Sequence, residues 1–280
     1  MTIGEALKRA AGKLDESGES PRIEAEVLLA RALDVPRAYL YGHPEDELDD
    51  AAAERFFDAV GRRADGVPLA YLTGTREFWS LELMVGPETL VPRPEPELLV
   101  ELALAHLPAG NGGRVLDLGT GSGAIALAIA SERPGCRVVA VDCSPGALAV
   151  ARENARQLEL PNIDFLAGDW TQPVAGSRFD VVVSNPPYVA AGDPALHALR
   201  HEPAAALVSG ADGLDAIRLL ARDCRPLVAP DGVLLLEHGA GQEDAAMAIL
   251  ADQGWTGLES RRDLAFIPRA VIAHPAAGGA

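Results

Sequence analysis

The sequence predicts an α/β fold, in which a small N-terminal helical domain precedes a seven-stranded, doubly wound, mostly parallel sheet. Residues 1–72 carry helix signals, whereas apolar strands alternate with helices from Arg114 onward. Such alternation is typical of a parallel sheet with helices on both faces. We therefore expect three parts, namely a helical domain over 1–72, a β-hairpin linker over 73–92 and an α/β domain over 93–280.

Helix-start signals occur twice in the first part. Thr2 and Glu5 have the spacing of a capping box, and Ser20 followed by Pro21 is typical of an N-cap and first helical residue. The helix that follows is expected to bury one apolar face, made of Ile23, Val27, Leu28 and Leu33.

The rest of the chain is predicted to form a hairpin and then a regular alternation of strands and helices. Thr, Glu and Gly among apolar residues predict an extended hairpin over 73–92, and a helix containing Leu98 to Leu104 follows the prolines near position 94. The expected strands are 115–118, 137–142, 163–166, 180–183, 233–236, 257–263 and 269–274, and the expected helices are 124–130, 145–158, 213–228 and 241–253.

The net charge of −17 argues against a nucleic-acid substrate. Proteins that grip nucleic acid neutralise phosphates with Lys and Arg, whereas an acidic chain suits a partner with a basic surface. No apolar run approaches the roughly 20 residues that span a bilayer. The first residues show no secretion signal, and Cys136, Cys143 and Cys224 are interpreted as reduced core residues. We expect a cytoplasmic monomer that binds neither nucleic acid nor membrane.

A glycine-rich turn lies between the first strand of the sheet and the next helix. The segment Asp117, Leu118, Gly119, Thr120, Gly121, Ser122, Gly123 allows the backbone to approach a ligand closely. Asp142, at the end of the second strand, is placed to accept hydrogen bonds from ribose hydroxyls. This pattern alone fits either NAD or S-adenosylmethionine.

Two further features favour S-adenosylmethionine. Asp117 places a carboxylate two residues before Gly119, where it suits the cationic amino-acid portion of S-adenosylmethionine and would repel a pyrophosphate. Asp169 and Trp170 end the third strand, where they offer an acceptor for an exocyclic amine and a ring to pack against a purine.

The segment Asn185, Pro186, Pro187, Tyr188 follows the fourth strand and is the predicted catalytic and substrate-binding loop. The lone pair of an amide nitrogen is delocalised, so a site that accepts hydrogen bonds from its N–H groups helps that lone pair to face a methyl donor. The Asn185 side-chain oxygen and the Pro186 carbonyl are the predicted acceptors, and Tyr188 can stack on the flat group. We predict no metal site.

With these motifs in order, the chain resembles the protein-(glutamine-N5) methyltransferases that act on peptide chain release factors. The resemblance covers nearly the whole sequence. The other segments that show the resemblance are Ser20 to Arg22, Tyr71 to Phe78, Val91 to Glu95, Glu202-Pro203, Asp212 to Leu214 and Arg262 to Leu264.

The resemblance implies a helical N-terminal domain that recognises the release factor and a catalytic domain that methylates the glutamine of its Gly-Gly-Gln loop. By motif, Gly119 to Gly123, Asp142 and Trp170 would bind S-adenosylmethionine, while Asn185 would touch both cofactor and glutamine. Three positions depart from the family pattern: Pro96 stands where Thr is usual, and Phe266 and Ile267 replace a glycine and a basic residue.

Four alternatives have distinct expectations. A glutamine of a ribosomal protein would use the same chemistry, and an adenine amine of DNA would use a similar loop but conflicts with the acidic charge. A non-catalytic binding module would not need Asn185. A dehydrogenase would use neither the Pro-Pro loop nor Asp117.

Overall fold

The computed structural model describes residues 1–15, 20–107 and 112–276. The chain divides into two compact units, residues 1–75 and 76–280. Within the described part, no helix is long and apolar enough to cross a membrane.

The first unit is helical. Its helices are α1 (Ile3–Leu14), α2 (Pro21–Leu33), α3 (Arg37–Gly42), α4 (Asp50–Ala64) and α5 (Leu69–Thr73). The predicted capping box is present, because the Thr2 hydroxyl accepts from the Glu5 N–H and the Glu5 carboxylate accepts from the Thr2 N–H. Ser20 occupies the N-cap of α2, but its side chain makes no capping hydrogen bond.

The predicted apolar face of α2 is wrong in one respect. Ile23 is 48% exposed, whereas Glu24 and Glu26 are buried. Glu24 accepts two hydrogen bonds from Arg63 of α4, and Glu26 accepts one from the Tyr41 hydroxyl. Because these buried carboxylates have partners, they can occupy interior positions that an apolar pattern would assign to other residues.

A two-stranded hairpin is formed by β1 (Thr75–Phe78) and β2 (Leu81–Met84). Trp79 and Ser80 form its tight turn, both with positive φ, which matches the twist of hairpin strands. The Asn154 side chain donates to Met84 O and accepts from Met84 N. Met84 and Asn154 both belong to the second unit, so this contact anchors the hairpin within that unit.

The second unit contains the large sheet. Its elements are α6 (Glu97–His106), β3 (Arg114–Leu118), α7 (Ala124–Glu132), β4 (Arg137–Asp142), α8 (Pro145–Gln157), β5 (Ile163–Ala167), β6 (Phe179–Ser184), α9 (Asp215–Asp223), β7 (Val228–Glu237), α10 (Glu243–Asp252), β8 (Trp255–Arg262) and β9 (Pro268–Pro275). The seven strands have the order β5-β4-β3-β6-β7-β9-β8, and β9 is antiparallel to both of its neighbours. The predicted seven-stranded, mostly parallel sheet is confirmed.

One predicted helix is shorter than expected. The prediction of 213–228 becomes α9 over Asp215–Asp223 and a separate 3-10 turn over Arg225–Leu227. Pro226 lies in that turn, where it cannot donate the N–H that would continue an α-helix.

Apolar residues cover both faces of the sheet. Val115 packs with Leu127 and Val183 in one buried cluster, whereas Leu116 packs with Ile217 in another. Strand β3 pairs with β4 on one side and with β6 on the other, so the strand order reverses there. In open α/β sheets, ligands bind outside the carboxyl ends of strands at this kind of position.

Candidate active site

A cavity of about 630 Å³ lies at this edge of the sheet, within the second unit. The predicted site residues that line it are Gly119, Thr120, Gly121, Ser122, Asp142, Asp169, Trp170, Asn185 and Pro187. Four other predicted residues are outside its described lining, namely Asp117, Gly123, Pro186 and Tyr188. The sheet therefore brings the two predicted loops to one cavity, although these four residues do not line it.

The glycine-rich loop is shaped by backbone contacts. The N–H groups of Gly119 and Thr120 both donate to Val141 O, at 2.9 and 3.0 Å. Gly123 has a φ of +87°, and a Cβ atom there would lie 2.9 Å from Leu127 Cδ1. A side chain at this position would meet both backbone strain and a packed neighbour.

Asp142 is oriented by two backbone donors. Its Oδ2 accepts from Gly121 N at 2.8 Å, and its Oδ1 accepts from Ser144 N at 2.8 Å. Each carboxylate oxygen has a second lone pair, so Asp142 can still accept hydrogen bonds from a ligand in the cavity.

Asp117 is buried beneath the loop. Thr120 Oγ1 donates to its Oδ2 at 2.6 Å, while Oδ1 has no hydrogen-bond partner among the described residues. Burial raises the pKa of Asp117 to about 7, and the nearby charge of Asp142 adds to that rise. A buried acceptor without a partner suits a cationic group, which would stabilise the ionised carboxylate.

Trp170 has the uncommon positive φ of 45°. Its ring lies 3.6 Å from the position that a Cβ atom of Gly119 would occupy. The neighbouring Asp169 is exposed and accepts from Gln172 Nε2 at 3.2 Å. This arrangement leaves an aromatic surface beside the glycine turn.

The loop after β6 is fixed from several directions. The Ser184 hydroxyl donates to Leu118 O at 2.6 Å, which ties the end of β6 to β3. Asn185 is half-buried in the cavity wall. The Tyr188 hydroxyl donates to Glu237 at 3.3 Å, and the Tyr188 carbonyl accepts from Gln242 Nε2 at 3.0 Å.

Gly213 allows this packing. Its φ is +78°, and a Cβ atom there would lie 2.3 Å from Tyr188 O. Only glycine fits so close to another backbone in this conformation. The Asp212 to Leu214 motif therefore supports the loop of Asn185, although the two are distant in sequence.

Sequence reasoning did not assign Glu202 a structural role. Its buried carboxylate accepts from Val91 N at 2.9 Å and is hydrogen-bonded to Arg93, which lines the cavity. The motif at Val91 to Glu95 and the pair Glu202-Pro203 are therefore halves of one contact. Their joint presence was the available signal, but a single sequence does not show that they pair.

Of the residues that depart from the family pattern, Pro96 lies at the start of α6 and Phe266 lies on the surface. Pro96 lies at the N-cap of α6, and its side chain makes no capping hydrogen bond. Phe266 is 80% exposed with a positive φ of 63°.

Cys136 and Cys224 are buried as predicted, but Cys143 is exposed because it follows β4 at the cavity rim. The described residues contain no cluster that could hold a metal ion.

Known proteins share this fold. A crystal structure of a methyltransferase from Pyrococcus furiosus aligns with a TM-score of 0.53 and 18% identity, covering 69% of this chain and 88% of that one. Residues 98–212 match the family "Methyltransferase small domain", and residues 5–74 match "PrmC N-terminal domain". The family match and this structural neighbour thus show that the second unit has a methyltransferase fold.

Relatives define the family more closely. The chain is 48% identical to a release factor glutamine methyltransferase of Xylella fastidiosa, covering 87% of this chain and 89% of that one. It is 42% identical to one from Coxiella burnetii, covering 98% and 99%. The chain therefore belongs to the release factor glutamine methyltransferase family, and the resemblance seen in the sequence is confirmed.

Proposed function

We propose that this enzyme transfers the methyl group of S-adenosylmethionine to the side-chain nitrogen of the glutamine in the Gly-Gly-Gln motif of class-1 peptide chain release factors. The observation that carries the proposal is the position of Asn185. It lines the same cavity as Gly119, Gly121 and Asp142, so its side-chain amide can serve as an acceptor beside the glycine-rich loop.

The residues of the glycine-rich half fit the cofactor. Asp142 would accept from the ribose hydroxyls, since its two backbone donors fix its orientation. Trp170 would pack against the adenine ring and Asp169 would accept from its amine. The unpartnered Asp117 Oδ1 would face the cationic amino group, with Thr120 holding the other oxygen. When bound, S-adenosylmethionine supplies an electrophilic methyl group on a positively charged sulfur.

The loop of Asn185 fits the glutamine side chain. The Asn185 side-chain oxygen would accept from one amide N–H and the Pro186 carbonyl from the other. Both prolines fix φ and lack an N–H of their own, so this backbone is organised before substrate binds. Pro187, which lines the cavity, would contact the flat amide, and the neighbouring Tyr188 ring would stack on it from outside the described lining. Holding the amide in this way favours attack by its nitrogen lone pair.

The substrate class agrees with the charge of the chain. A net charge of −17 favours a protein with a basic surface over a nucleic acid. We further propose that residues 1–72 recognise the release factor and that the enzyme acts in the cytoplasm as a monomer.

The test is a methylation assay with labelled S-adenosylmethionine and a purified class-1 release factor. We expect one methyl group on the glutamine of Gly-Gly-Gln, located by peptide mass spectrometry. A release factor in which alanine replaces that glutamine is the matched control and should remain unlabelled. Labelling of DNA or of a ribosomal protein, without labelling of the release factor, would overturn the substrate assignment.

A further inference from the structure

The turn between β8 and β9 carries an exposed apolar tip, formed by Leu264, Phe266 and Ile267. Their exposed fractions are 98%, 80% and 37%. Among the described residues of the second unit, no other large apolar side chain is exposed. Single apolar side chains are common on protein surfaces, whereas a contiguous group of them is characteristic of an interaction site.

The backbone of this turn is fixed by hydrogen bonds to one carboxylate. Asp263 Oδ1 accepts from Ala265 N at 2.8 Å and from Ile267 N at 2.9 Å, and Oδ2 accepts from Arg269 Nε at 3.2 Å. Across the turn, Asp263 N donates to Ile267 O at 2.9 Å. The apolar side chains therefore extend from a backbone that is organised in advance, which lowers the entropy lost when a partner binds.

Phe266 is held in a conformation that its side chain disfavours. Its φ of 63° lies in the left-handed region, which is strained for a residue with a Cβ atom. Phe266 N donates to Asp263 O at 2.9 Å, and Arg262 Nη1 donates to Phe266 O at 2.8 Å, so the conformation is fixed on both sides. Because the ring is mostly exposed, the fold gains little from its burial. Strain without such a gain indicates a role outside the fold.

The apolar tip lies at the same edge of the sheet as Asn185. Strand β7 is parallel to β6, and the turn between β8 and β9 lies beyond the carboxyl end of β7, where Glu237 pairs with Ala270. Two strand spacings, about 10 Å, separate the backbone at the end of β6 from that at the start of β9. Tyr188 spans part of this distance, since its hydroxyl donates to Glu237 at 3.3 Å. A protein that places a side chain at Asn185 is therefore brought alongside the turn.

We propose that the apolar tip is a docking element for the protein substrate, and that it contacts an apolar surface of the release factor beside the Gly-Gly-Gln loop. The inference rests on the proposed function, since the substrate at Asn185 determines which protein meets the tip. Apolar side chains gain free energy when a partner removes them from water, so the surface that meets the tip is apolar as well. The tip adds affinity for the release factor and takes no part in cofactor binding or methyl transfer.

The first test compares the wild type with the double variant Leu264→Ser and Phe266→Ser. We expect the Kd and the KM for release factor to rise at least about fivefold, the scale for truncating an apolar anchor of an interface. The methylation rate at saturating release factor and the calorimetric affinity for S-adenosylmethionine should stay unchanged. Phe266→Leu keeps an apolar side chain and is the matched control, which should bind release factor nearly as well as the wild type. An unchanged Kd in the double variant would refute the proposal.

The second test uses Phe266→Gly, which separates binding from stability. Glycine adopts a positive φ without strain, so this variant should unfold at a denaturant concentration at least as high as the wild type while it binds release factor more weakly. A loss of stability together with binding would show that the ring serves the fold instead.

Sedimentation of the wild type and of the double variant distinguishes the release factor from a second copy of this chain. We expect the same mass for both proteins. A wild-type dimer that dissociates in the double variant would assign the apolar tip to self-association and overturn the proposal. If the wild type fails to methylate release factor at all, the proposed function fails, whereas normal methylation with an unchanged Kd in the double variant contradicts the docking role alone.

Discussion

The two sides of the cavity are held in place in different ways. On the glycine-rich side, Gly119 and Gly121 are fixed by hydrogen bonds to Val141 and Asp142, which belong to the adjacent strand. On the other side, the Tyr188 loop depends on side chains that lie about fifty residues further along the chain, at Glu237 and Gln242. The first side is a local backbone structure, and the second is an assembly of long-range polar contacts.

This difference predicts different kinds of failure. Damage to the glycine-rich side should disturb packing and cofactor affinity together, because the turn is part of the core. Damage to the Asn185 side should reduce the rate of methyl transfer while the fold persists. Substitutions at Gly123 and Asn185 test this division.

Gly123→Ala should have the largest effect. The new Cβ would need a left-handed conformation and would lie 2.9 Å from Leu127 Cδ1. We expect a loss of about 2–5 kcal/mol in the free energy of unfolding, from backbone strain and overpacking together. Denaturant unfolding would measure it, and calorimetry should show weaker binding of S-adenosylmethionine.

Gly176→Ala is the matched control for that variant. Gly176 has a φ of +78°, but no atom lies within 4 Å of its ideal Cβ position. Gly176→Ala should lose only the unfolding free energy that arises from backbone strain, about 1–2 kcal/mol. Equal losses in the two variants would show that packing around Gly123 is unimportant.

Asn185→Ala should impair methyl transfer, because it changes the opposite side of the cavity. We expect a loss of at least about 2–3 kcal/mol of transition-state stabilisation, the scale for one oriented polar contact in an active site. Single-turnover methylation of the release factor would measure it. Asn185→Asp, which keeps an acceptor oxygen, should retain more activity than Asn185→Ala, while unfolding stability should change little in either. A near-normal rate in Asn185→Ala would contradict the role of this amide.

The same division explains what the sequence could predict. Gly119, Gly121 and Asp142 are recognisable because a strand, a turn and the next strand place them close together within a short stretch of chain. The seven strands were likewise predictable from local apolar patterns. The fold around this half of the site is therefore encoded in segments that can be interpreted one at a time.

The other contacts were not predictable from one chain. Nothing near Glu202 indicates that its carboxylate accepts from Val91 N, and nothing near Glu237 indicates a contact with Tyr188. Each depends on where the folded sheet brings distant side chains. Ile23 was misplaced for a related reason, since the ion pair of Glu24 with Arg63 overrides apolar periodicity in α2.

Asn154→Ala should have an intermediate effect on the glycine-rich side. The buried Asn154 amide donates to Met84 O and Ser122 O and accepts from Met84 N. Its removal would leave backbone groups without partners, at a cost of about 1–3 kcal/mol in unfolding free energy. Arg152→Ala, on the exposed side of the same helix, is the control, because Arg152 donates to Phe165 O of β5, and it should change stability little. If both variants were equally stable, the link between hairpin and turn would contribute nothing.

The smallest expected effect is the loss of stability between pH 7 and pH 9 that arises from Glu237. Its pKa is about 8 in the fold against an ordinary value of 4.5. The neutral carboxyl therefore contributes its full stability below about pH 4.5, and that contribution is lost as the pH rises through 8, because the unfolded chain then binds fewer protons than the fold. Between pH 7 and pH 9 the loss amounts to about 1 kcal/mol.

Glu237→Gln isolates this loss, because every other titrating group, including Asp117, is shared with the wild type. The difference in unfolding free energy between the two proteins should shift in favour of glutamine from pH 7 to pH 9. Above pH 9 it should level off, since the carboxyl is then ionised in both the folded and the unfolded chain. Denaturant unfolding at 25 °C across this series measures the shift. Parallel stability curves would mean that Glu237 ionises in the fold as easily as in the unfolded chain.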